Sequence, residues 1–162
     1  MADWLEEGSK VPAFTLEADD GSKVKLSDFK GSPVVIYFYP ADDTPGCTRE
    51  ACAFRDRKAE LTKLGVKVVG VSPNTAASHV KFREKYQLNF PLLVDADHKL
   101  AEAWGAWREK NMYGKKSMGI VRSTFLIDGQ GKLFKVWRSV KVDGHDAKVI
   151  EAVQELLAAE KK

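Results

Sequence analysis

Two cysteines, Cys47 and Cys52, are the side chains in this sequence best suited to redox or nucleophilic chemistry, and they lie five residues apart. They belong to the stretch PADDTPGCTREAC, which directly follows a β-branched and aromatic run, Val34–Tyr39. Thr44 suits a helix N-cap, and Pro45 suits the first helical position because its missing N–H is not needed there. Cys47 then becomes the third helical residue, where free backbone N–H groups and the positive end of the helix dipole favour a thiolate.

The spacing of the cysteines excludes some sites and leaves others open. Two cysteines are too few for a disulfide scaffold, and in a reducing compartment a close pair is typical of a redox-active or metal-binding site. No metal is predicted, because the three histidines, His79, His98 and His145, are scattered and show no ligand spacing near the cysteines. No other cofactor is predicted either, because the sequence contains no glycine-rich phosphate loop. We expect all three histidines to be solvent or packing residues. From the pattern alone, a plain capped helix with a small apolar residue in its first turn is an alternative.

Length, composition and charge limit the classes of protein to which the chain can belong. The chain has 162 residues, 44% hydrophobic and 30% charged, which predicts a single domain over residues 1–162. Its 26 basic and 23 acidic side chains interleave, so no nucleic-acid partner is expected. No apolar stretch has the length of a membrane span, and the acidic start of the chain lacks a signal core. We therefore expect a cytoplasmic protein with no membrane partner.

Hydrophobic periodicity and turn residues predict an alternation of strands and helices. The order is strand–helix–strand–helix–strand, then a helix, a strand hairpin and a last helix, which is the order of the thioredoxin fold. The prediction is an α/β protein with a thioredoxin-like fold, a central mixed sheet, helices on both faces and an N-terminal β-hairpin. The predicted elements are Ala13–Glu17, Lys23–Leu26, Val34–Tyr39, helix Pro45–Leu64, Val66–Ser72, helix Thr75–Gln87, Pro91–Asp95, helix Leu100–Trp107, Val121–Asp128, Lys132–Arg138 and helix Gly144–Glu160.

The motif Pro40-x-x-x-Thr44-x-x-Cys47 resembles the active-site motif of the peroxiredoxins. The longer string TPGCTREACAFRD is similar to the peroxiredoxin Q or bacterioferritin comigratory protein subfamily, and the likeness runs from VPAF to MGIVRSTFLID, residues 11–128. The resemblance implies a monomeric thiol peroxidase that reduces hydrogen peroxide and organic hydroperoxides. It also implies that Cys47 is the peroxidatic cysteine, that Cys52 is the resolving cysteine, and that thioredoxin or a similar dithiol protein restores both thiols.

Peroxide reduction by a thiol needs more than an ionised sulfur. Lowering a thiol pKa from ~8.5 to ~6 raises the thiolate fraction at pH 7 roughly 30-fold, yet costs about 10-fold or more in intrinsic nucleophilicity. The two effects nearly cancel. Most of the catalysis must therefore come from holding the peroxide and stabilising charge on the leaving oxygen.

The resemblance assigns these tasks to particular side chains. Arg122, just before a predicted central strand, is similar to the family's active-site arginine, whose guanidinium can face both thiolate and peroxide. Thr44 offers a hydroxyl that can accept from the peroxide and donate to the thiolate, and Pro40 can screen the sulfur from water. We expect Glu50 to orient Arg122. Without the resemblance, Arg122 is typical of an exposed ion-pairing residue and Glu50 of a solvated helix charge. Pro40 is then typical of a residue that ends a strand.

The proposed pairing of Cys47 with Cys52 has a geometric consequence. On a regular helix, Cα atoms five residues apart are separated by about 8.6 Å, beyond the limit of about 7 Å for a disulfide. If the two cysteines pair, the start of the helix must unwind, which predicts a folded state and a locally unfolded disulfide state. The alternative for Cys52 is a small buried core residue.

Two other functions remain as alternatives. A protein thiol–disulfide oxidoreductase would typically carry a C-x-x-C pair, whereas four residues separate Cys47 from Cys52. A non-catalytic holdase or binding module would use the cysteines only for packing, and Cys47→Ser would leave its function intact.

Overall fold

A computed structural model describes residues 4–160, so the first three residues of the acidic N-terminus considered above lie outside the described residues. No helix within this range is long and apolar enough to cross a membrane. A short 3-10 helix covers Leu26–Phe29. The remaining elements are β1 (Thr15–Ala18), β2 (Lys23–Lys25), β3 (Val34–Phe38), α1 (Pro45–Lys63), β4 (Lys67–Ser72), α2 (Ala76–Tyr86), β5 (Leu92–Val94), α3 (Lys99–Trp104), β6 (Trp107–Met112), β7 (Lys115–Ile120), β8 (Ser123–Ile127), β9 (Leu133–Trp137) and α4 (His145–Glu160).

A mixed seven-stranded sheet forms the centre of the structure, with strand order β2-β1-β5-β4-β3-β8-β9. The three inner strands β3, β4 and β5 are parallel, and each outer strand is antiparallel to its neighbour. The predicted N-terminal hairpin is present as β1 and β2, and β1 joins it to the main sheet by pairing with β5. The predicted mixed sheet is therefore confirmed.

Strand β3 shows how the sheet is covered on both faces. All five of its residues are buried, and successive side chains point to opposite faces of the sheet. Val35 and Tyr37 pack in a core with apolar residues of α1, α2 and α4, such as Phe54. Ile36 and Phe38 pack in a second core with α3. Helices cover both faces, as the β-branched and aromatic composition of this strand predicts.

One predicted helix is shorter than expected. The helix predicted over Leu100–Trp107 ends at Trp104, because Gly105 takes a left-handed conformation with φ of 92° and closes the helix. Trp107 is instead the first residue of strand β6. The tryptophan side chain stacks on His98, with ring centroids 3.6 Å apart.

A second hairpin, formed by β6 and β7, was not predicted from the sequence. It is a separate two-stranded sheet whose turn, Tyr113–Gly114, has positive φ at both residues. Positive φ at two central residues is the geometry of a tight hairpin turn. Most side chains of β7 are exposed, so the hairpin lacks the alternation of apolar and polar residues that signals a half-buried strand.

His145, the first residue of α4, is buried and should make stability depend on pH. Its Nε2 lies 2.8 Å from Oγ1 of Thr124, and burial lowers the pKa of His145 to about 4 from an ordinary 6.5. Between these pH values the unfolded chain binds the extra proton, so stability is lost as pH falls. Relative to His145→Gln, the natural chain should lose on the order of 3 kcal/mol in unfolding free energy from pH 6.5 to pH 4.

Urea unfolding at a series of pH values measures this difference. The comparison with His145→Gln is itself the control, because every other titratable group is common to the two chains. If the unfolding free energies of the natural chain and of His145→Gln change with pH in parallel, the prediction is wrong.

Candidate active site

The cysteine Cys47 is placed by the junction between β3 and α1. Strand β3 ends at Phe38, and α1 starts at Pro45 with Thr44 at its N-cap position. Cys47 is the third residue of this helix, as predicted, and its side chain is buried at 1% exposure. Cys52 follows in the same helix and is partly buried. Both cysteines are free thiols in an unbroken helix.

Arg122 is brought to the cysteine by the pairing of β3 with β8. Because these strands are antiparallel, Ser123 at the start of β8 lies opposite Phe38 at the end of β3, where the chain turns into α1. The guanidinium of Arg122 donates from Nη2 to Sγ of Cys47 at 3.3 Å and from Nη1 to Oε1 of Glu50 at 2.8 Å. The structure thus brings the predicted cysteine, arginine and glutamate into direct contact.

Glu50 is buried with 1% exposure, although its sequence context also suits a solvated helix charge. Burial raises the pKa of Glu50 to about 7, while the attraction of Arg122 opposes this rise. Oε1 is held by the arginine, and Oε2 has no hydrogen-bond partner within residues 4–160. Arg122 remains a cation, because Glu50 and Cys47 outweigh the burial that lowers the pKa of its guanidinium.

Thr44 and Pro40 lie on the loop that leads into the helix. Thr44 occupies the N-cap position but its hydroxyl makes no capping hydrogen bond; it donates to the carbonyl of Ala41 at 3.1 Å. The predicted N-cap position of Thr44 is therefore confirmed, but its side-chain hydrogen bond to the helix is absent, because Oγ1 turns back to the loop. Because the hydroxyl donates to Ala41, it does not donate to the sulfur of Cys47 in this conformation. Pro40 is partly buried two residues after β3 ends.

Gly46 is a site residue that the sequence did not single out. A Cβ atom added at this position would lie 3.1 Å from Nη2 of Arg122, the nitrogen that contacts Cys47. The absence of a side chain therefore allows the guanidinium to approach the first turn of the helix. The neighbouring TPGC string offered a signal, since glycine in a first helical turn is unfavourable unless a close approach requires it.

Lys110 is a second cation near the site that the sequence did not indicate. It lies on β6 with its side chain over Gly119 of β7, where an added Cβ would be 3.3 Å from its Cδ atom. Burial lowers the pKa of Lys110, repulsion by Arg122 lowers it further, and Cys47 raises it. The unpredicted hairpin therefore contributes positive charge to the surroundings of the sulfur.

The arrangement can stabilise negative charge on a small substrate. A buried sulfur lies beside a permanent cation at the start of a helix, and the cation and the helix dipole together stabilise negative charge that develops on atoms bound there. Within residues 4–160 no group of three or more His, Cys, Asp or Glu side chains could hold a metal ion. The side chains present thus suit thiol chemistry on an electronegative atom.

Comparison with known proteins agrees with this chemistry. The AhpC/TSA family matches residues 8–136. Peroxiredoxin Bcp of Bacillus subtilis (strain 168) is 51% identical over 152 residues, covering 94% of this chain and 97% of the relative. The bacterioferritin comigratory protein of Xanthomonas campestris, whose structures are described for alkyl peroxide reduction activity, has a TM-score of 0.84 at 42% identity, covering 88% of this chain and 90% of that chain. The structure of Xylella fastidiosa PrxQ has a TM-score of 0.88 at 32% identity, and the match covers 99% of this chain and 100% of that chain.

These similarities extend over nearly the whole chain and confirm the predicted thioredoxin-like fold. They agree with a peroxidase that acts through a thiol. The chain therefore belongs to the AhpC/TSA family and, within it, to the peroxiredoxins of the PrxQ or bacterioferritin comigratory protein type.

Proposed function

We propose that the protein is a two-cysteine peroxidase that reduces hydrogen peroxide and organic hydroperoxides at Cys47. The observation that carries the proposal is the contact of Arg122 with both the buried sulfur and Glu50. The contact supports the proposal because a cation beside the sulfur can stabilise the negative charge that develops on the leaving oxygen of a peroxide. The described activity of the Xanthomonas campestris protein on alkyl peroxides supports the inclusion of organic hydroperoxides.

The first step is an in-line displacement. The thiolate of Cys47 attacks one peroxide oxygen, the S–O bond forms and the O–O bond breaks. The leaving alkoxide or hydroxide takes up a proton and departs as alcohol or water, and Cys47 becomes a sulfenic acid. Arg122 stabilises the charge on both oxygens, and Thr44, after a rotation of its hydroxyl, can contact the bound peroxide.

The second step joins the two cysteines. The thiolate of Cys52 attacks the sulfur of Cys47, a disulfide forms and water leaves. Because both residues lie in the intact helix α1, the start of the helix must unwind before the sulfurs can meet. A dithiol protein of the thioredoxin class then reduces the disulfide and restores both thiols.

Counting thiols after a single turnover tests the proposal. The protein is reduced, freed of reductant, treated with one equivalent of hydrogen peroxide, alkylated and weighed by intact mass, with Cys52→Ser in parallel. We expect both thiols to disappear and the mass of two hydrogens to be lost. Cys52→Ser should instead gain one oxygen at Cys47. If both thiols stay open to alkylation, the peroxidase proposal fails.

A further inference from the structure

Asp42, on the loop that leads into α1, is held against helix α2 by a buried network. Its carboxylate accepts hydrogen bonds from Oη of Tyr39 and Oγ of Ser78, each at 2.7 Å, and lies 2.7 Å from Nδ1 of His79. Its backbone N–H donates to Oδ1 of Asn74 at 2.8 Å. Although burial raises the pKa of Asp42, the hydrogen bonds of His79, Tyr39 and Ser78 hold it below its ordinary value.

The other partner of the pair, His79, is completely buried on α2. Its Nε2 lies 2.9 Å from the carbonyl oxygen of Leu93, which can only accept a hydrogen bond, so Nε2 carries a proton. Nδ1 faces the carboxylate of Asp42. The ring is thereby fixed between strand β5 and the loop, and it cannot rotate without leaving buried acceptors unpaired.

A second fastening lies further along α1, on the same side of the molecule. Arg55 donates from Nη1 to the carbonyl of Tyr86 at 2.6 Å, and Lys58 donates to the carbonyl of Asn89 at 2.8 Å. Asn89 in turn donates to the carbonyl of Arg55 at 3.3 Å. The chain between the two fastenings, residues 43–54, contains both Cys47 and Cys52; within it Asp43 also binds α2, through exposed hydrogen bonds from Lys85 and Tyr86.

We propose that the buried Asp42–His79 pair is a clamp that fixes the N-terminal boundary of the segment that unwinds, and thereby limits how fast the oxidised Cys47 reaches Cys52. The clamp keeps residues 40–42 on α2 while the start of α1 opens. Its loss would release this loop as well, and each released residue adds conformational freedom to the open state. Asp42 and His79 are therefore positioning residues, which act on the cysteine through the loop. This inference rests on the proposed two-cysteine cycle.

The kinetic consequence is a change in the fate of the sulfenic acid. In the folded state it can meet a second peroxide and become sulfinic acid, whereas in the open state it forms the disulfide. A weaker clamp should favour opening and thus disulfide formation. Peroxide attack on Cys47 needs the closed state, so it should fall only in proportion to the closed fraction.

Three variants on the clamp and one control test this inference. Asp42→Asn removes the carboxylate charge, and His79→Gln removes the imidazole ring. Ser78→Ala removes a single hydrogen bond to Asp42 and serves as the test if the first two variants do not fold. The matched control is Arg83→Met, on the same helix, which breaks the ion pair with Asp19 and the hydrogen bond to the carbonyl of Leu88 but has no bond to residues 39–54. Stopped-flow measurements give the rate constants for peroxide attack and disulfide formation. Amide hydrogen exchange reports the opening of residues 39–54.

For Asp42→Asn and His79→Gln we expect the opening constant of residues 44–48 and the rate constant of disulfide formation to rise about tenfold or more. Ser78→Ala should give a smaller change in the same direction, and Arg83→Met should change both by less than about twofold. In the natural chain, disulfide formed with diamide should leave the Asp42 amide protected by Asn74 while the amides of residues 44–52 exchange rapidly.

Two results would overturn the inference: equal effects of Arg83→Met and the clamp variants, or an Asp42 amide that exchanges as fast as residues 44–52 in the disulfide form. Failure of the proposed function would look different. If peroxide leaves the thiols unchanged, hydrogen exchange of the reduced chain and of the diamide-made disulfide still tests the clamp.

Discussion

Replacing Cys47 by serine should lower the rate of peroxide reduction more than about 1,000-fold, because a serine hydroxyl does not ionise at neutral pH and does not attack peroxides. The substitution exchanges one small side chain for another at a site with 1% exposure. The measurement is the rate of peroxide loss in the presence of a dithiol reductant, compared at equal concentrations of folded protein.

Cys52→Ser is the matched control, since it makes the same chemical change in the same helix. It should keep a fast first reaction with one equivalent of peroxide and lose turnover only when the reductant must act through the disulfide. If Cys47→Ser retains more than a tenth of the natural rate, Cys47 is not the nucleophile. A binding or holdase module would be unaffected by either substitution.

The placement of the nucleophile could be predicted from the sequence because it depends on neighbouring residues. An apolar strand, a loop, Pro45 at the helix start and Cys47 two positions later are local signals, and the structure follows them. The predicted order of strands and helices was also largely right for this reason. Thr44 occupies the predicted N-cap position, but the direction of its hydroxyl, which donates to the carbonyl of Ala41, could not be predicted.

Contacts between distant parts of the chain could not be predicted in the same way. Glu50 and Arg122 are 72 residues apart and meet because β3 and β8 pair in one register. The family resemblance indicated Arg122 as an active-site residue, and the contact with Glu50 was an expectation built on it. Nothing comparable suggested that His79 would bind Asp42, and periodicity alone predicts only that a histidine in α2 could be a packing residue.

The β6–β7 hairpin could not be predicted from the sequence for a different reason. Strand β7 carries mainly exposed charged and polar side chains, so the main signal of a strand, a buried face, is weak there. The turn of the hairpin uses Tyr113–Gly114 instead of the more common Asn-Gly or Asp-Gly pairs. Lys110 could therefore be located near the active site only from the structure.

Arg122 should have the second largest effect on catalysis. Replacing it by methionine removes the donor to the sulfur of Cys47 and should slow peroxide attack by about 100- to 1,000-fold, the usual cost of losing one donor that stabilises a developing negative charge. Arg122→Lys keeps the charge but lacks the two-nitrogen fork that contacts Cys47 and Glu50 together. It should therefore recover only part of the rate. Stopped-flow measurement with one equivalent of peroxide isolates this step.

Loss of the arginine also leaves the buried carboxyl of Glu50 without its partner, so stability must be separated from catalysis. Breaking a buried pair costs about 3–5 kcal/mol when the remaining group stays charged. Burial already raises the pKa of Glu50 to about 7, so protonation should reduce this cost below neutral pH. The double variant Arg122→Met with Glu50→Gln should regain stability and yet remain as slow as Arg122→Met alone. Recovery of the peroxide rate in the double variant would show that Arg122 acts through folding and not on the leaving oxygen.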